Sequence, residues 1–454
     1  MRHICVVGAG YVGLTTGICL ADLGNSVTLL DIDADRIAQV QAGRLPIFEP
    51  GLGELLAHNL AAGRLVATTS YAQAVPKADF VFIAVATPTE AEGDGANLSY
   101  VESAATSLGR HLAPGRRTIV INKSTVPIGT GDWVADILQR HAPPGAAYAV
   151  VSNPEFLREG QAVADFQQPD RVVLGSTDEA AAQEVATLYL GTRAPIIITD
   201  LRTAEMVKYA SNAFLATRIS FINEIARICE ELGANVKQVA LGMGYDKRIG
   251  SAFLDAGIGF GGSCFPKDLR ALAHMADRAG LHPQLLRAVL DINADQRLLV
   301  VTKLQRLLGG LPGTRIGLLG LTFKPNTDDL REAASLEIAQ RLLAAGATVV
   351  AYDPAGMERA ATLLPSLQFA TDPYTLAVDA DALVLVTEWN EFKQLDWQRL
   401  RTAMRRPILV DGRNMYDPAR LTSAGFIYEG IGRGRPAAAE RDVAQRPTSD
   451  AMTS

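Results

Sequence analysis

Ile4-Cys5-Val6-Val7-Gly8-Ala9-Gly10-Tyr11-Val12-Gly13 runs from an apolar tetrad into a G-x-G-x-x-G pattern, and helical spacing follows it. Strand, tight turn and helix in that order mark a dinucleotide-binding βαβ unit. Gly8 permits the turn. Gly10 lets a pyrophosphate approach the backbone, and Gly13 lets helix and strand close up. Free N–H groups at the helix start then face the phosphates, with Tyr11 and Val12 beside them. The second strand runs over Ser26–Asp31 and ends on a carboxylate. There Asp31 is placed to grip both ribose hydroxyls and to repel a 2′-phosphate, which favours NAD over NADP. Arg36, five residues on, is placed to pack on the adenine.

The same alternation continues outward from this unit. Short apolar runs at residues 65–68, 80–84, 118–122, 147–151, 172–175 and 196–199 are separated by helical spacing. That pattern predicts a parallel sheet covered by helices on both faces, and an α/β fold. Residues 201–232 contain no proline or glycine and keep helical periodicity, so they read as one long helix. Further helices are expected at 264–279 and 283–308. A second α/β unit starts at Arg315-Ile316-Gly317-Leu318-Leu319-Gly320 and repeats the strand, glycine turn and helix, with a second strand reaching Asp353. Its later strands are expected at 382–387 and, last, 408–410. The domains are therefore drawn at 1–200, 201–310 and 311–435. Residues 436–454 are rich in Ala, Arg, Pro, Ser and Thr and are read as a disordered tail.

Composition narrows the class. In 454 residues, 48% are hydrophobic and 20% charged, which fits a folded enzyme rather than a disordered chain. The net charge of −6, with scattered cations, argues against a nucleic-acid surface. No apolar run is long enough to cross a membrane. The apolar start enters the glycine turn directly and reads as a buried strand, not an export signal. Four separated cysteines without a C-x-x-C pair argue against a disulfide framework or zinc, and fit a reducing cytoplasm.

Chemistry concentrates elsewhere. Gly259-Phe260-Gly261-Gly262-Ser263-Cys264-Phe265-Pro266-Lys267-Asp268 sets one cysteine behind a glycine turn and ahead of a helix. A helix N-terminus lowers a thiol pKa and exposes it, and Lys267 stands close in sequence. Cys264 therefore reads as a covalent nucleophile, whereas Cys5, Cys19 and Cys229 read as small buried hydrophobes. Lys208 and Asn212, four apart on the long helix, share a face and are suited to steadying an oxyanion. Asn153-Pro154-Glu155-Phe156-Leu157-Arg158-Glu159-Gly160 follows a strand end, and its two carboxylates suit a general base and a ligand anchor. Lys123-Ser124-Thr125-Val126-Pro127 also follows a strand and is placed to touch cofactor and substrate. Phe323-Lys324-Pro325 and Asp411-Gly412-Arg413-Asn414 bring cations to strand ends of the second unit, where a nucleotide diphosphate has room to lie.

Together these motifs, with VKYASNAFLATRISFINE at 207–224 and GLTFKPNTDDLRE at 320–332, resemble the nucleotide-sugar 6-dehydrogenases over nearly the whole chain outside the tail. The resemblance implies an N-terminal Rossmann-type NAD domain, a long linking helix used for homodimerisation and a C-terminal UDP-binding domain. It implies UDP-glucose as substrate, oxidised twice at C6 to the carboxylate with two NAD, through a thiohemiacetal and a thioester on Cys264. Polysaccharide precursor supply is the implied purpose. By the same resemblance, Lys208 and Asn212 hold the developing charge, Asp268 assists proton transfer or orients Lys208, and Glu155 and Thr125 handle the hydrolytic water. Thr87, Pro88, Thr125, Glu159, Lys267 and Arg331 approach the cofactor. Glu155, Phe156, Leu157, Lys208, Asn212, Phe253, Gly257, Phe260, Gly261, Phe323, Lys324 and Arg413 approach the sugar nucleotide, and Arg248 reaches over from a partner subunit. Asp255 departs from the pattern, where asparagine or another neutral residue is expected. GDP-mannose and UDP-N-acetyl sugars remain the sibling substrates, and Phe265-Pro266-Lys267-Asp268 argues against the N-acetylated branch. A nucleotide-sensing protein without turnover is the alternative from another class.

Overall fold

The computed structural model describes residues 1–91 and 93–433. The tail assigned to 436–454 lies outside the described residues. The first sheet contains β1 (His3–Val7), β2 (Ser26–Leu30), β3 (Leu65–Thr68), β4 (Phe80–Ile83), β5 (Arg117–Asn122), β6 (Ala147–Ser152), β7 (Val172–Gly175) and β8 (Ile196–Thr199), in the order β3-β2-β1-β4-β5-β6-β7-β8. The second contains β9 (Arg315–Leu319), β10 (Thr348–Tyr352), β11 (Gln368–Phe369), β12 (Ala382–Leu385), β13 (Ile408–Asp411) and β14 (Ile427–Gly430), in the order β11-β10-β9-β12-β13-β14.

Both sheets are buried on both faces, as the uninterrupted apolar strands demand. Ile4 and Val6 enter one core and Cys5 and Val7 the opposite one. In the second sheet Ile316 and Leu318 lie on one side and Leu319 on the other. Two expectations are corrected. The first sheet is not wholly parallel: β7 meets β6 antiparallel through the Ser152–Gly175 pair, and β8 then follows β7 in parallel. A single pair joins the two blocks, and apolar runs carry no directional information. The strand at 408–411 is not the last, because β14 pairs beside it. Only Gly430 of the Ile427–Gly430 strand is fully buried, so the run lacks a central strand's apolar signature.

Six helices position the site: α1 (Tyr11–Asp22), α2 (Thr130–His141), α3 (Leu201–Leu232), α4 (Phe265–Arg278), α5 (Gln284–Leu308) and α6 (Ala334–Ala344). The 32-residue α3 starts where the Asp200 side chain accepts the Thr203 N–H and stops at left-handed Gly233. It links the two sheets and packs on α4 and α5 through Ala213, Ala216, Leu269 and Val289, with Phe260 of the glycine loop among them. Among the described residues no helix is long and apolar enough to cross a membrane.

Candidate active site at the domain junction

Strand order reverses its sense of progression at β1, which lies between β2 and β4. Ligands bind such sheets beyond the strand C-termini at this switch point. The fingerprint occupies it. A Cβ on Gly13 would collide with the Gly8 carbonyl, so glycine is required for the close turn. A Cβ on Gly10 would meet nothing within 4 Å, which leaves the backbone open toward the cleft. Asp31 accepts the Ala9 N–H at 2.6 Å and the Asp33 N–H at 2.9 Å, and Arg36 stands 3.4 Å from it.

A cleft of about 550 Å³ opens between the fingerprint and the second α/β unit. Gly10, Tyr11, Arg36, Glu159 and Arg331 all line it, together with Asp329. Glu159 is half-buried and its carboxyl is lifted to about 7, first by desolvation and then by Asp329, against Arg331 and Lys324. Arg331 bonds Glu159 at 3.2 Å and Asp329 at 2.7 Å, with most of its side chain still exposed. Thr87 donates to the Thr125 carbonyl at 2.8 Å, which joins the loops after β4 and β5, and Pro88 is exposed beside it.

The second cluster lies deeper. Lys208 and Asn212 project from one face of α3 and are both buried. Lys208 donates to Glu155 at 2.9 Å, and Asn212 donates to Asp268 at 2.7 Å. Burial alone would lower the Lys208 pKa, but Glu155, Cys264 and Asp268 outweigh it and raise it. Glu155 also accepts the Leu157 N–H at 2.6 Å, and Phe156 lies under the Lys208 ammonium at 5.5 Å. Cys264 is the N-cap of α4 and interacts with Lys208, Glu155 and Asp268.

One reading changes here. The Cys264 thiol is not lowered: burial pushes it up to about 11, and Lys208 offsets only part of that. The sequence shows a cysteine before a helix but not the wall around it. Asp268 does not hold Lys208 by a hydrogen bond. It joins Asn212 and Lys267, the latter at 2.6 Å, while Glu155 is the direct partner of Lys208. Lys267 is thereby committed to Asp268 rather than to the thiol.

The loop before Cys264 is clamped from both sides. Gly262 has φ +82°, and a Cβ there would come within 2.7 Å of the Phe323 ring. Phe260 donates its N–H to Asn293 at 2.7 Å, and Gly257 donates to Asn223 at 2.8 Å. Gly261 packs against the Glu332 backbone, and Phe253 tilts on Phe265 at 6.3 Å. Arg413 donates to the carbonyls of Val386, Gly259 and Phe323, at 2.7, 3.3 and 3.2 Å. Burial lowers the Lys324 pKa, and its ammonium lies 5.3 Å from the Phe323 ring. Arg248 is not gathered into this cluster: 89% of its side chain is exposed and it pairs with Asp246. Asp255 is exposed.

Sequence reasoning passed over Glu49, which holds the Glu155–Glu159 loop in place. Its carboxylate accepts from Gly160 at 2.6 Å, from Ala162 at 2.8 Å and from the Tyr11 hydroxyl. It sits in a loop between prolines, where no periodicity flags it. Asn223, Asn293 and Gln296 were also passed over, although polar residues on the apolar face of a helix are a readable signal.

Fold and site define a class: a two-sheet nucleotide-type dehydrogenase with one thiol and a lysine–carboxylate cluster at the domain junction. Models of the UDP-glucose/GDP-mannose dehydrogenase family match in three parts, the NAD binding domain over residues 2–192, the central domain over 202–295 and the UDP binding domain over 317–418. The chain belongs to that family, and its cofactor is NAD. It is 49% identical to UDP-glucose 6-dehydrogenase of Rhizobium meliloti, over 95% of this chain and 99% of the relative. It is 47% identical to UDP-glucose 6-dehydrogenase of Pseudomonas aeruginosa, over 95% and 98%. The structure of a UDP-glucose dehydrogenase from Pyrobaculum islandicum superposes with a TM-score of 0.89 at 42% identity, covering 95% of this chain and 98% of that one.

Proposed function

We propose that the chain oxidises the C6 hydroxymethyl group of UDP-glucose to the carboxylate of UDP-glucuronate. The observation that carries this reading is the convergence of Cys264, Lys208, Asn212, Glu155 and Asp268 beside an NAD-type fingerprint. Bound NAD accepts the hydrides. The balance is one alcohol, one water and two NAD giving one carboxylate, two NADH and three protons.

Each residue role follows from that balance. Lys208 steadies the C6 oxygen as its proton and hydride leave, with Asn212 as a second donor. The Cys264 sulfur then bonds C6 of the aldehyde, and its proton passes to the carbonyl oxygen. The thiol's high pKa means that this proton leaves as the bond forms, helped by the Lys208 charge. The covalent adduct keeps C6 aligned for the second hydride transfer and leaves a thioester. Glu155, with Thr125 across the same strand ends, directs the water that releases the acid and returns the proton to sulfur. Asp31 and the fingerprint glycines hold NAD, with Glu159 and Arg331 across the cleft. Lys324, Phe323 and Arg413 receive the nucleotide side of the sugar.

The working form is a homodimer built on α3. Phe214, Phe221 and Ile228 recur every seven residues on its exposed side, and Leu232 ends the same stripe. Light scattering is expected to give twice the chain mass, and Phe221→Glu to halve it. Four free cysteines favour a reducing cytoplasm. The activity test offers UDP-glucose, GDP-mannose and UDP-N-acetylmannosamine with NAD. Two NADH per UDP-glucose are expected, and one per sugar would reject the thioester route.

A further inference from the structure

Behind Lys208 lies a small cavity of about 10 Å³, the room that one water needs. Asn122, Thr125, Ser152, Glu205 and Lys208 line it. Asn122, at the end of β5, is 1% exposed, and neither its Nδ2 nor its Oδ1 has a protein partner. A buried amide left so is costly unless something answers it. Glu205 sits one turn before Lys208 on α3 and is equally enclosed. Its carboxylate takes the Gly129 and Gly131 N–H groups at the start of α2, at 2.6 and 2.7 Å, and the Ser152 hydroxyl at 3.3 Å. The Lys208 ammonium has three N–H donors, and one of them goes to Glu155.

We infer that this cavity is a water site, and that its water ties Lys208 to Glu205, which makes Glu205 and Asn122 positioning residues for the reaction. The water accepts from Lys208 Nζ and Asn122 Nδ2 and donates to the Glu205 carboxylate, the usual three bonds of a buried water. The site thus holds the ammonium from behind while Glu155 holds it from the side. Its importance to turnover rests on the Lys208 role proposed above.

Charge surrounds the pair on every side. Asp132 of α2 and Arg202 of α3 act on Glu205. Glu155, Cys264, Asp268 and Lys123 act on Lys208. Burial is the largest influence on Glu205 and lifts its carboxyl to about 7, against its three donors. As pH falls through that value, Glu205 gains a proton and stops anchoring the water as an anion, so kcat is expected to fall on the acid side.

The test is a high-resolution crystal structure of the full chain, joined to kinetics of Asn122→Leu. The wild type should show one ordered water within about 3.2 Å of Asn122, Glu205 and Lys208. Asn122→Leu keeps the size and the Glu205 cap but removes the polar lining. It should lower kcat about tenfold, the weight of one hydrogen bond to a charged group, and flatten the acid limb, with KM for NAD unchanged. A dry wild-type cavity overturns the proposal whatever the variant's stability. So does a folded Asn122→Leu protein with wild-type kcat and an unchanged pH profile. Normal turnover by Lys208→Ala with the water still in place would instead remove the Lys208 assignment and leave the water site standing.

Discussion

Both sheet domains carry an aspartate just past their second strand, next to the turn after their first, and they use it in opposite ways. Asp31 takes two backbone N–H groups, with Arg36 at 3.4 Å, and keeps 8% exposure at the cleft. Asp353 has none. Its Oδ2 accepts Leu321 at 2.7 Å, Thr322 at 3.1 Å and Trp389 Nε1 at 3.0 Å, and its Oδ1 accepts Ala355 at 2.9 Å and Gly356 at 2.7 Å. The helix after the turn differs too. α1 starts at Tyr11, directly after Gly10, whereas α6 waits until Ala334 although its turn glycine is Gly320. The intervening loop carries Asp329 and Arg331 to the cleft and sets the Phe323 ring against Gly262. The same backbone position thus keeps its anion at the cleft with two backbone donors in one half, and saturates it with loop donors in the other.

The largest effect tests whether the chemistry belongs to neither sheet but to the loop clamped between them. Cys264→Ala is expected to cut NADH production at least about a thousandfold while leaving the melting temperature nearly unchanged. In the wild type, alkylation of Cys264 followed by mass spectrometry should quicken about tenfold per pH unit toward the thiol's value near 11. A plateau near pH 8 would show that the thiol is activated in the free enzyme.

Asp353→Asn comes next and is aimed at the saturated half. An amide cannot accept all the N–H groups that the carboxylate does, and its own NH₂ opposes some of them. A loss of about 3–5 kcal/mol in urea unfolding is expected. Asp31→Ala should show the reverse pattern. Its stability should fall by only about 1–2 kcal/mol, as the Ala9 and Asp33 N–H groups lose their acceptor, while NAD binding weakens about 10- to 100-fold and discrimination against NADP relaxes. If the two substitutions behaved alike, the division between a ligand anion and a structural anion would be wrong.

The sequence carried some of this contrast and hid the rest. Strand, glycine turn, helix and a second strand ending at aspartate were readable in both halves because apolar runs and glycines mark them locally. The α3 limits were readable because residues 201–232 hold no proline or glycine and keep helical spacing, and the structure adds the Asp200 cap and the Gly233 stop. The saturation of Asp353 was not readable, since Trp389 donates from a loop 36 residues away. The half-burial of the thiol was hidden for the same reason, and so was the Glu155–Lys208 pair, which spans 53 residues. β14 escaped because three of its four residues are not fully buried, and the β7 direction because sequence pattern carries no orientation. What local spacing encodes was legible, and what only tertiary approach creates was not.

The smallest expected effect sharpens the comparison at the covers of the two anions. Trp389 covers Asp353 from within the core, and Arg36 covers Asp31 from a side chain that is 38% exposed. Arg36 also reaches Asp33 at 3.8 Å, and exposed pairs of this kind contribute little. Arg36→Ala should therefore change unfolding free energy by less than about 0.5 kcal/mol. Its KM for NAD should rise about threefold through lost packing on the adenine. A double-mutant cycle with Asp31→Ala separates the two roles. Coupling is expected in NAD binding and not in urea unfolding, if the guanidinium and carboxylate meet the same ligand as proposed above. Coupling that appeared in stability alone would make Arg36 a structural cover like Trp389, and the two halves would then differ in degree rather than in kind.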